Sequence, residues 1–391
     1  MPDPLARFRA AVLDDPALQE ELCRPIHADA FAALAVEVGA RNGLRFGPQD
    51  VHAALWAAAL ARDDAPRQNR HAVAPPPGWL PVEARDRGVG LELDWVYFGA
   101  TPLREPFYRD SAQRQLRKPF NRLFRLSTPI DALESRQGAH PELKPSGFIF
   151  HMSRCGSTLV AQMLAALPRA VVISEASPID TVVRAHEQRP DLGEDEHAAW
   201  LRWIVAALGQ PRRGGEQHLF VKLDSWHTLA LPLFRRAFPD VPWIFLYRDP
   251  IEVLVSQLRQ PGLHMVPGSF SSVLGIAPSY ATEDHRARVL ARICEAVLEH
   301  RAAPAGLLVD YRELPDALWT RIMPHFGVTC DAYDRALMAK TAVHDAKTPV
   351  LMFSPDSQAK QCSATPAARA AAATWLGDIH DRLERRRLDG L

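Results

Sequence analysis

The sequence has no surplus of either charge: 46 Lys and Arg stand against 46 Asp and Glu, a formal net charge of zero over 391 residues. Without a global field, neither nucleic acid nor an anionic membrane surface is expected as a partner. Long apolar runs are missing as well, none reaching the ~18 residues that a membrane span requires. The opening Met1-Pro2-Asp3-Pro4-Leu5-Ala6-Arg7 has no apolar stretch behind a basic patch, which argues against a secretory signal. Cysteine is scarce. The five (Cys23, Cys155, Cys294, Cys330, Cys362) are odd in number, scattered and without a CxxC, so a disulfide framework is excluded and a reduced, cytoplasmic chain is expected. Histidine offers no HxxxH pair, and the one HxE, His140-Pro141-Glu142, lacks the CxxC that would complete a zinc site. No metal is expected.

What the chain does have is the stretch Gly147-Phe148-Ile149-Phe150-His151-Met152-Ser153-Arg154-Cys155-Gly156-Ser157-Thr158-Leu159. A short apolar run reads as a buried strand, a small-residue turn with one Arg follows, and Ser157 opens a run with Leu159, Met163, Leu164 and Leu167 at helical spacing. Strand, tight loop and helix aim backbone N–H groups and a helix's positive end at one point, which makes an anion site. A nucleoside-triphosphate loop would need GxxxxGK[ST]. Here Gly156 is followed by Ser157 and Thr158, and the cation, Arg154, precedes it.

A second anion site follows from Val241-Pro242-Trp243-Ile244-Phe245-Leu246-Tyr247, an apolar strand running into Arg248-Asp249-Pro250. Pro250 suits the first turn of a helix. Arg248 then stands at the strand's carboxyl edge, and Ser256, about two turns down the helix, could share an oxyanion with it.

The order basic–small–Gly–Ser–Thr–Leu over Arg154–Leu159 resembles the 5′-phosphosulfate loop of sulfotransferases that use 3′-phosphoadenosine 5′-phosphosulfate (PAPS), with Ser153 where the commonest form has Pro and Cys155 where it has Ser. Arg248-Asp249-Pro250 with Ser256 is similar to that family's 3′-phosphate motif. The resemblance covers about residues 146–362. It implies that Arg154, Cys155, Gly156, Ser157, Thr158 and Leu159 hold the 5′ end of PAPS and Arg248 and Ser256 the 3′-phosphate. Tyr311, in Leu307-Leu308-Val309-Asp310-Tyr311-Arg312, looks like the late-strand Tyr beside the nucleotide, and Lys360 closes a late loop that folds over it. The product would be adenosine 3′,5′-bisphosphate, and no metal is implied.

Catalysis needs a base and a cation. Glu175 leaves the apolar strand Val171-Val172-Ile173-Ser174 at the same edge, where burial is expected to raise its pKa. Tyrosylprotein-type and bacterial sulfotransferases have a Glu base in such a position. Lys222, closing the strand Leu219-Phe220-Val221, is expected to clamp the sulfuryl or bridging oxygen; His227 is the fallback base. Cys155 reads as a loop spacer and His151 as a packed strand-end residue.

Alternating strands (147–152, 171–174, 218–223, 242–247, 306–310) and helices (157–167, 228–238, 250–259, 284–300, 314–325, 366–387) predict an α/β domain, a P-loop-like parallel sheet flanked by helices, over 141–391. Residues 1–74 read as a helical extension suited to packing or homodimerisation, with helices around 5–13, 28–38 and 49–61. Residues 75–140 read as a cap or acceptor-binding segment, with a strand in 91–98. The expected function is sulfuryl transfer to a hydroxyl or nitrogen of a small metabolite or natural product. An ATP-dependent small-molecule kinase and a nucleotide-binding protein without turnover are the alternatives.

Overall fold

The structure, a computed structural model, describes residues 3–60, 68–69, 73–88, 90–136, 138, 141–280, 282–300 and 306–389. The chain divides into two units. One comprises Met1–Pro102, Tyr108–Glu142 and Trp203–Gly214; the other comprises Leu103–Phe107, Leu143–Arg202 and Gly215–Leu391.

The first unit opens with helices α1 (Pro4–Asp14), α2 (Pro16–Leu22), α3 (Ala28–Arg41) and α4 (Pro48–Leu60). α2 was not anticipated, yet its signal is local: the Asp15 carboxylate accepts from the Ala17 and Leu18 N–H groups, and Pro16 takes the first turn. Strands β1 (Gln68–Asn69), β2 (Trp79–Asp86), β3 (Leu91–Tyr97) and β4 (Leu126–Pro129), with α5 (Tyr108–Leu116) and α6 (Pro119–Leu123), complete the unit. The sheet order is β1-β4-β3-β2, so the strand expected in 91–98 is the centre of a sheet rather than an isolated element. Trp79, Tyr97 and Phe120 pack with ring centroids 5.3–6.1 Å apart. Gln19, fully buried, accepts from the Trp79 indole at 2.9 Å and donates to the Val12 and Leu13 carbonyls.

The second unit is the α/β body. β5 (Pro145–His151), α7 (Ser157–Ala165), β6 (Ala170–Ser174), α8 (Ser177–Val183) and α9 (Glu194–Leu208) come first, α9 passing at Trp203 into the other unit. Then follow β7 (His218–Lys222), α10 (Leu231–Ala237), β8 (Trp243–Tyr247), α11 (Pro250–Arg259), α12 (Ser271–Leu274), α13 (Thr282–Glu299), β9 (Gly306–Asp310), α14 (Met323–His325), α15 (Ala332–Ala342), α16 (Ser357–Ser363) and α17 (Pro366–Leu388). All five strands are parallel, ordered β6-β7-β5-β8-β9. The five expected strands form, their near-continuous apolar runs matching a sheet covered on both faces. Expected helix 228–238 divides into a 3₁₀ turn (Ser225–Ala230) and α10, and expected helix 314–325 is largely a π-turn over Leu318–Ile322.

This order places the topological switch at β5, with neighbours reached by crossovers to opposite sides. Ligands of such sheets bind at the carboxyl ends beside the switch. Arg154 follows β5, Glu175 follows β6, Lys222 ends β7, Arg248 follows β8 and Tyr311 follows β9. The whole expected constellation therefore lies along one edge.

β5 is held close to its neighbours by Gly147, where any Cβ would fall within the Phe326 ring. Gly147→Ala is expected to cost ~1–3 kcal/mol through overpacking, read by urea denaturation. Gly215→Ala, facing open space, should leave the midpoint unchanged.

Candidate active site

After β5 the chain turns so sharply that Ser153 (φ 78°), Arg154 (φ 53°) and Gly156 (φ 86°) all adopt left-handed backbone. For the two non-glycine residues this costs on the order of 1 kcal/mol or more each and persists only where neighbours enforce it. They do. Gln257 Nε2 donates to Ser153 Oγ at 2.8 Å, the Ser153 N–H donates to His151 Nδ1 at 3.0 Å, and Arg154 donates to the Gln260 carbonyl at 2.6 Å. The Cys155 thiol, fully buried, donates to the Leu246 carbonyl at 3.1 Å. Burial pushes that thiol up to about 12, away from the thiolate form. At Gly156 a Cβ would lie 2.7 Å from Leu314 and 2.9 Å from the Tyr311 ring, so only glycine fits. α7 starts at Ser157 with its first-turn N–H groups left over by helix geometry. Ser157 and Thr158 are buried there.

His151 is buried and accepts at Nδ1, so Nε2 carries the proton; it donates to the Leu223 carbonyl at 2.8 Å and lies 3.6 Å from Glu175 Oε1. Burial first, then the Lys222 charge, lowers its pKa, which keeps the ring neutral.

Glu175 also has a left-handed backbone (φ 52°), with its N–H donating to the Lys222 carbonyl at 2.8 Å. The two side chains form a close ion pair in which Lys222 is wholly buried and Glu175 is about a quarter exposed. The Lys222 ammonium also faces the Phe107 ring, 5.5 Å from its centroid. Burial acts to raise the Glu175 pKa, as expected from sequence. The Lys222 charge, with the His151 ring beside the carboxylate, outweighs it, so the net shift is downward. The expected raised pKa is therefore corrected: at rest Glu175 is a firmly ionised partner of Lys222. Lys347, on an exposed turn after α15, belongs to the same group. Its ammonium is pushed down to about 8, by desolvation first and then by the charges of Arg154 and Lys222.

At the second site, Arg248 is buried over the Tyr311 ring, 3.9 Å from its centroid. It donates to Glu252 at 2.6 Å, to Asp356 at 2.9 Å and to the Ser357 hydroxyl at 3.0 Å. Lys360, also buried, pairs with the other Asp356 oxygen at 2.8 Å. Ser256 is half-buried on α11 and makes no hydrogen bond to Arg248 among the described residues; its neighbour Gln257 is the residue that ties α11 to the loop. The two sites share a wall, since the Tyr311 ring that carries Arg248 is also what crowds Gly156. Leu159, half-buried on α7, borders a cavity of about 240 Å³ lined with Gln162, Thr341, His344 and Pro349.

His227, the fallback base, is committed elsewhere: Nε2 donates to Asp180 at 2.9 Å and Nδ1 accepts the Asp224 N–H at 3.3 Å. Sequence reasoning missed Gln257 as a brace, Asp356 and Ser357 on Arg248, Lys347, and His264, which is buried beside Ser225 and pushed down to about 3 by burial. None has a local signature; each acts on a residue far away in the chain. Among the described residues two clusters have metal-ligand geometry, Asp180 with Asp224 and His227, and Asp310 with His380 and Glu384. The first is already joined by the His227–Asp180 bond, and the second is neutralised by Arg312 and Arg387.

A strained glycine loop, a buried ion pair and a second buried cation thus stand at the carboxyl edge of a five-stranded parallel sheet. No protein-family model matches the chain, and no curated protein does. Solved structures to which it is similar include sulfotransferases. One from Mycobacterium tuberculosis is 15% identical with a TM-score of 0.35, covering 63% of this chain and 82% of that one. The sulfotransferase domain of the curacin biosynthetic pathway is 14% identical with a TM-score of 0.38, covering 60% and 98%. A mouse sulfotransferase complexed with PAP is 10% identical with a TM-score of 0.32, covering 65% and 93%. No described helix is long and apolar enough to cross a membrane.

Removing one partner of the buried pair should cost far more than removing both. Lys222→Met is expected to destabilise by at most ~3–5 kcal/mol, because it strands a carboxylate that water reaches only in part. Lys222→Met with Glu175→Gln should recover much of that loss in denaturant unfolding. The Glu175 pKa is depressed on folding, so the pair's contribution is present above the unfolded carboxylate pKa and is lost as pH falls through the folded one.

Proposed function

We propose that this protein is a PAPS-dependent sulfotransferase acting on a small-molecule acceptor. The observation that carries the reading is the shared wall: Gly156 of the loop and Arg248 of the second site press on the same Tyr311 ring, so a single small bisphosphate can reach both. The 5′-phosphosulfate lies on the N–H groups of Gly156, Ser157 and Thr158 with Arg154. The 3′-phosphate lies on Arg248 and Lys360, with Ser256 nearby on α11. The base enters the cavity beside Leu159, where Ala346 and Pro349 offer apolar contact and Gln162, Thr341, His344 and Asp345 offer hydrogen bonds to the edges of a heterocycle.

Transfer is an in-line displacement. The acceptor oxygen or nitrogen attacks sulfur, its proton passes to Glu175, the bond from sulfur to the bridging phosphate oxygen breaks, and adenosine 3′,5′-bisphosphate leaves with the electron pair. The resting ion pair gives this an order. A carboxylate held by Lys222 is a weak base, but the sulfuryl oxygens attract the same ammonium. As Lys222 turns toward them it stabilises the charge that grows on the leaving group. Glu175 loses its counter-ion at that moment and, still buried, becomes basic. Neutral His151, its Nε2 proton held by the Leu223 carbonyl, packs 3.6 Å from Glu175 Oε1 and bounds the carboxylate on that side. Phe107 over Lys222 limits water at the reacting centre, which favours transfer over hydrolysis.

The zero net charge favours a small acceptor over a polyanionic glycan. Adenosine 3′,5′-bisphosphate should raise the apparent melting temperature in proportion to the logarithm of its concentration, and ATP with magnesium should not. The reverse order would overturn the donor assignment. Glu175→Gln should keep that stabilisation and lose on the order of 10²–10⁴ in turnover, measured as sulfuryl transfer from PAPS across an acceptor panel. Wild-type turnover in this variant would remove Glu175 as the base.

A further inference from the structure

Two cations and two carboxylates meet at the second site. Arg248 is bonded to Glu252 and to Asp356, and Lys360 is bonded to Asp356 through the other oxygen. The local charge is thus zero where a phosphate dianion is to be held. Asp356 is the residue that makes it so without being fixed there. Glu252 lies within α11, beside Arg248 and only about a tenth exposed, whereas the Asp356 side chain is nearly half exposed.

The position of Asp356 adds a second observation. It is the N-cap of α16, where an aspartate ordinarily accepts the N–H of the second or third helical residue. Asp15, Asp249 and Asp331 do so at the starts of α2, α11 and α15, though Asp3 at the start of α1 makes no such bond. Asp356 does not: its side chain makes no capping bond, and both oxygens are given to cations instead. The first N–H groups of α16 are therefore a second place for the carboxylate, reached once the Asp356 backbone, now at φ −123° and ψ 2°, moves to the extended conformation of a capping residue.

We propose that Asp356 is a built-in stand-in for the donor's 3′-phosphate and sets the selectivity of the second site. In the free protein it holds Arg248 and Lys360 in place and neutralises them. When a 3′-phosphate arrives, it takes over both cations and the Ser357 hydroxyl, and Asp356 turns to cap α16. A nucleotide without that phosphate cannot make the exchange and leaves the site closed. The inference rests on the PAPS reading and deepens it. It also implies that binding is discounted by the fraction of molecules in which Asp356 has already released the cations.

Binding of adenosine 3′,5′-bisphosphate and of adenosine 5′-phosphate, titrated calorimetrically against wild type and Asp356→Asn, tests this. Asparagine caps a helix as well as aspartate does but carries no charge. The bisphosphate is expected to tighten ~10-fold or more in the variant as the competing state is removed. The monophosphate should change less than ~2-fold, having no group to exchange. Asp356→Ser, which also caps, should behave alike. Wild-type binding of the bisphosphate with an unchanged or weaker constant in both variants would overturn the exchange while leaving the donor reading intact. Equal tightening of both ligands would overturn the selectivity. A wild-type protein that binds neither nucleotide would overturn the donor reading and this inference with it.

Discussion

The structure depends on a buried ammonium. Lys222 ends an apolar strand in the middle of a parallel sheet with none of its side chain exposed, and a lone charge there would be prohibitively costly. Glu175 satisfies it from the end of the adjacent strand, and to do so its backbone turns left-handed. The same constraint reaches into the loop. His151 stands against Glu175 on one side and holds the Ser153 N–H on the other, so the pair, the strand end and the first residue of the turn form one connected unit. Strain in Ser153 and Arg154 is retained because Gln257 and the Gln260 carbonyl hold them from α11. A loop that must offer unpaired N–H groups cannot hold itself, and here the hydrogen bonds come from its surroundings.

Much of this was legible in the sequence. The apolar runs ending in Glu175, Lys222, Arg248 and Tyr311 gave the strands, their parallel arrangement and the edge at which these side chains emerge. A lysine ending a run as apolar as Leu219-Phe220-Val221 announces a partner, because burial demands one. What could not be read was how far that partner would go. Burial and a cation push a carboxylate pKa in opposite directions, and only the close approach of Lys222 decides the sign at Glu175. Likewise Asp356 meets Arg248 across 108 positions and Gln257 meets Ser153 across 104, separations over which no periodicity or motif carries information. Ser256 shows the opposite failure. Motif spacing singled it out, while the glutamine after it makes the contact that shapes the loop.

The N-terminal unit teaches a related lesson. Helices α1, α3 and α4 were visible as Ala-rich runs, but most of its sheet was not, because β2 carries Pro81 within it and β4 is only four residues long, ending at Pro129. Their pairing rests on buried aromatics and on β3, whose alternation was the one strand signal the region offered. The segment 75–140, read from sequence as a cap or acceptor-binding segment, falls in both units: Leu103–Phe107 belongs with the α/β body, where Phe107 faces Lys222, and Tyr108 begins α5 in the other unit.

Both anion sites follow one physical rule. Cations gathered tightly enough to hold a phosphate repel one another, so a stable free protein must neutralise them. This chain does so with its own carboxylates, Glu175 on Lys222 and Glu252 and Asp356 on Arg248 and Lys360. Such internal neutralisation accords with a chain that carries 46 charges of each sign. Ligand binding on this scheme is exchange rather than capture. Each incoming oxyanion displaces a carboxylate, and the displaced carboxylate is what does the next job: Asp356 is released to cap a helix, and Glu175 is released to accept a proton. Charge neutrality in the resting state and basicity in the reacting state are then two outcomes of the same substitution, separated by the arrival of the sulfuryl group.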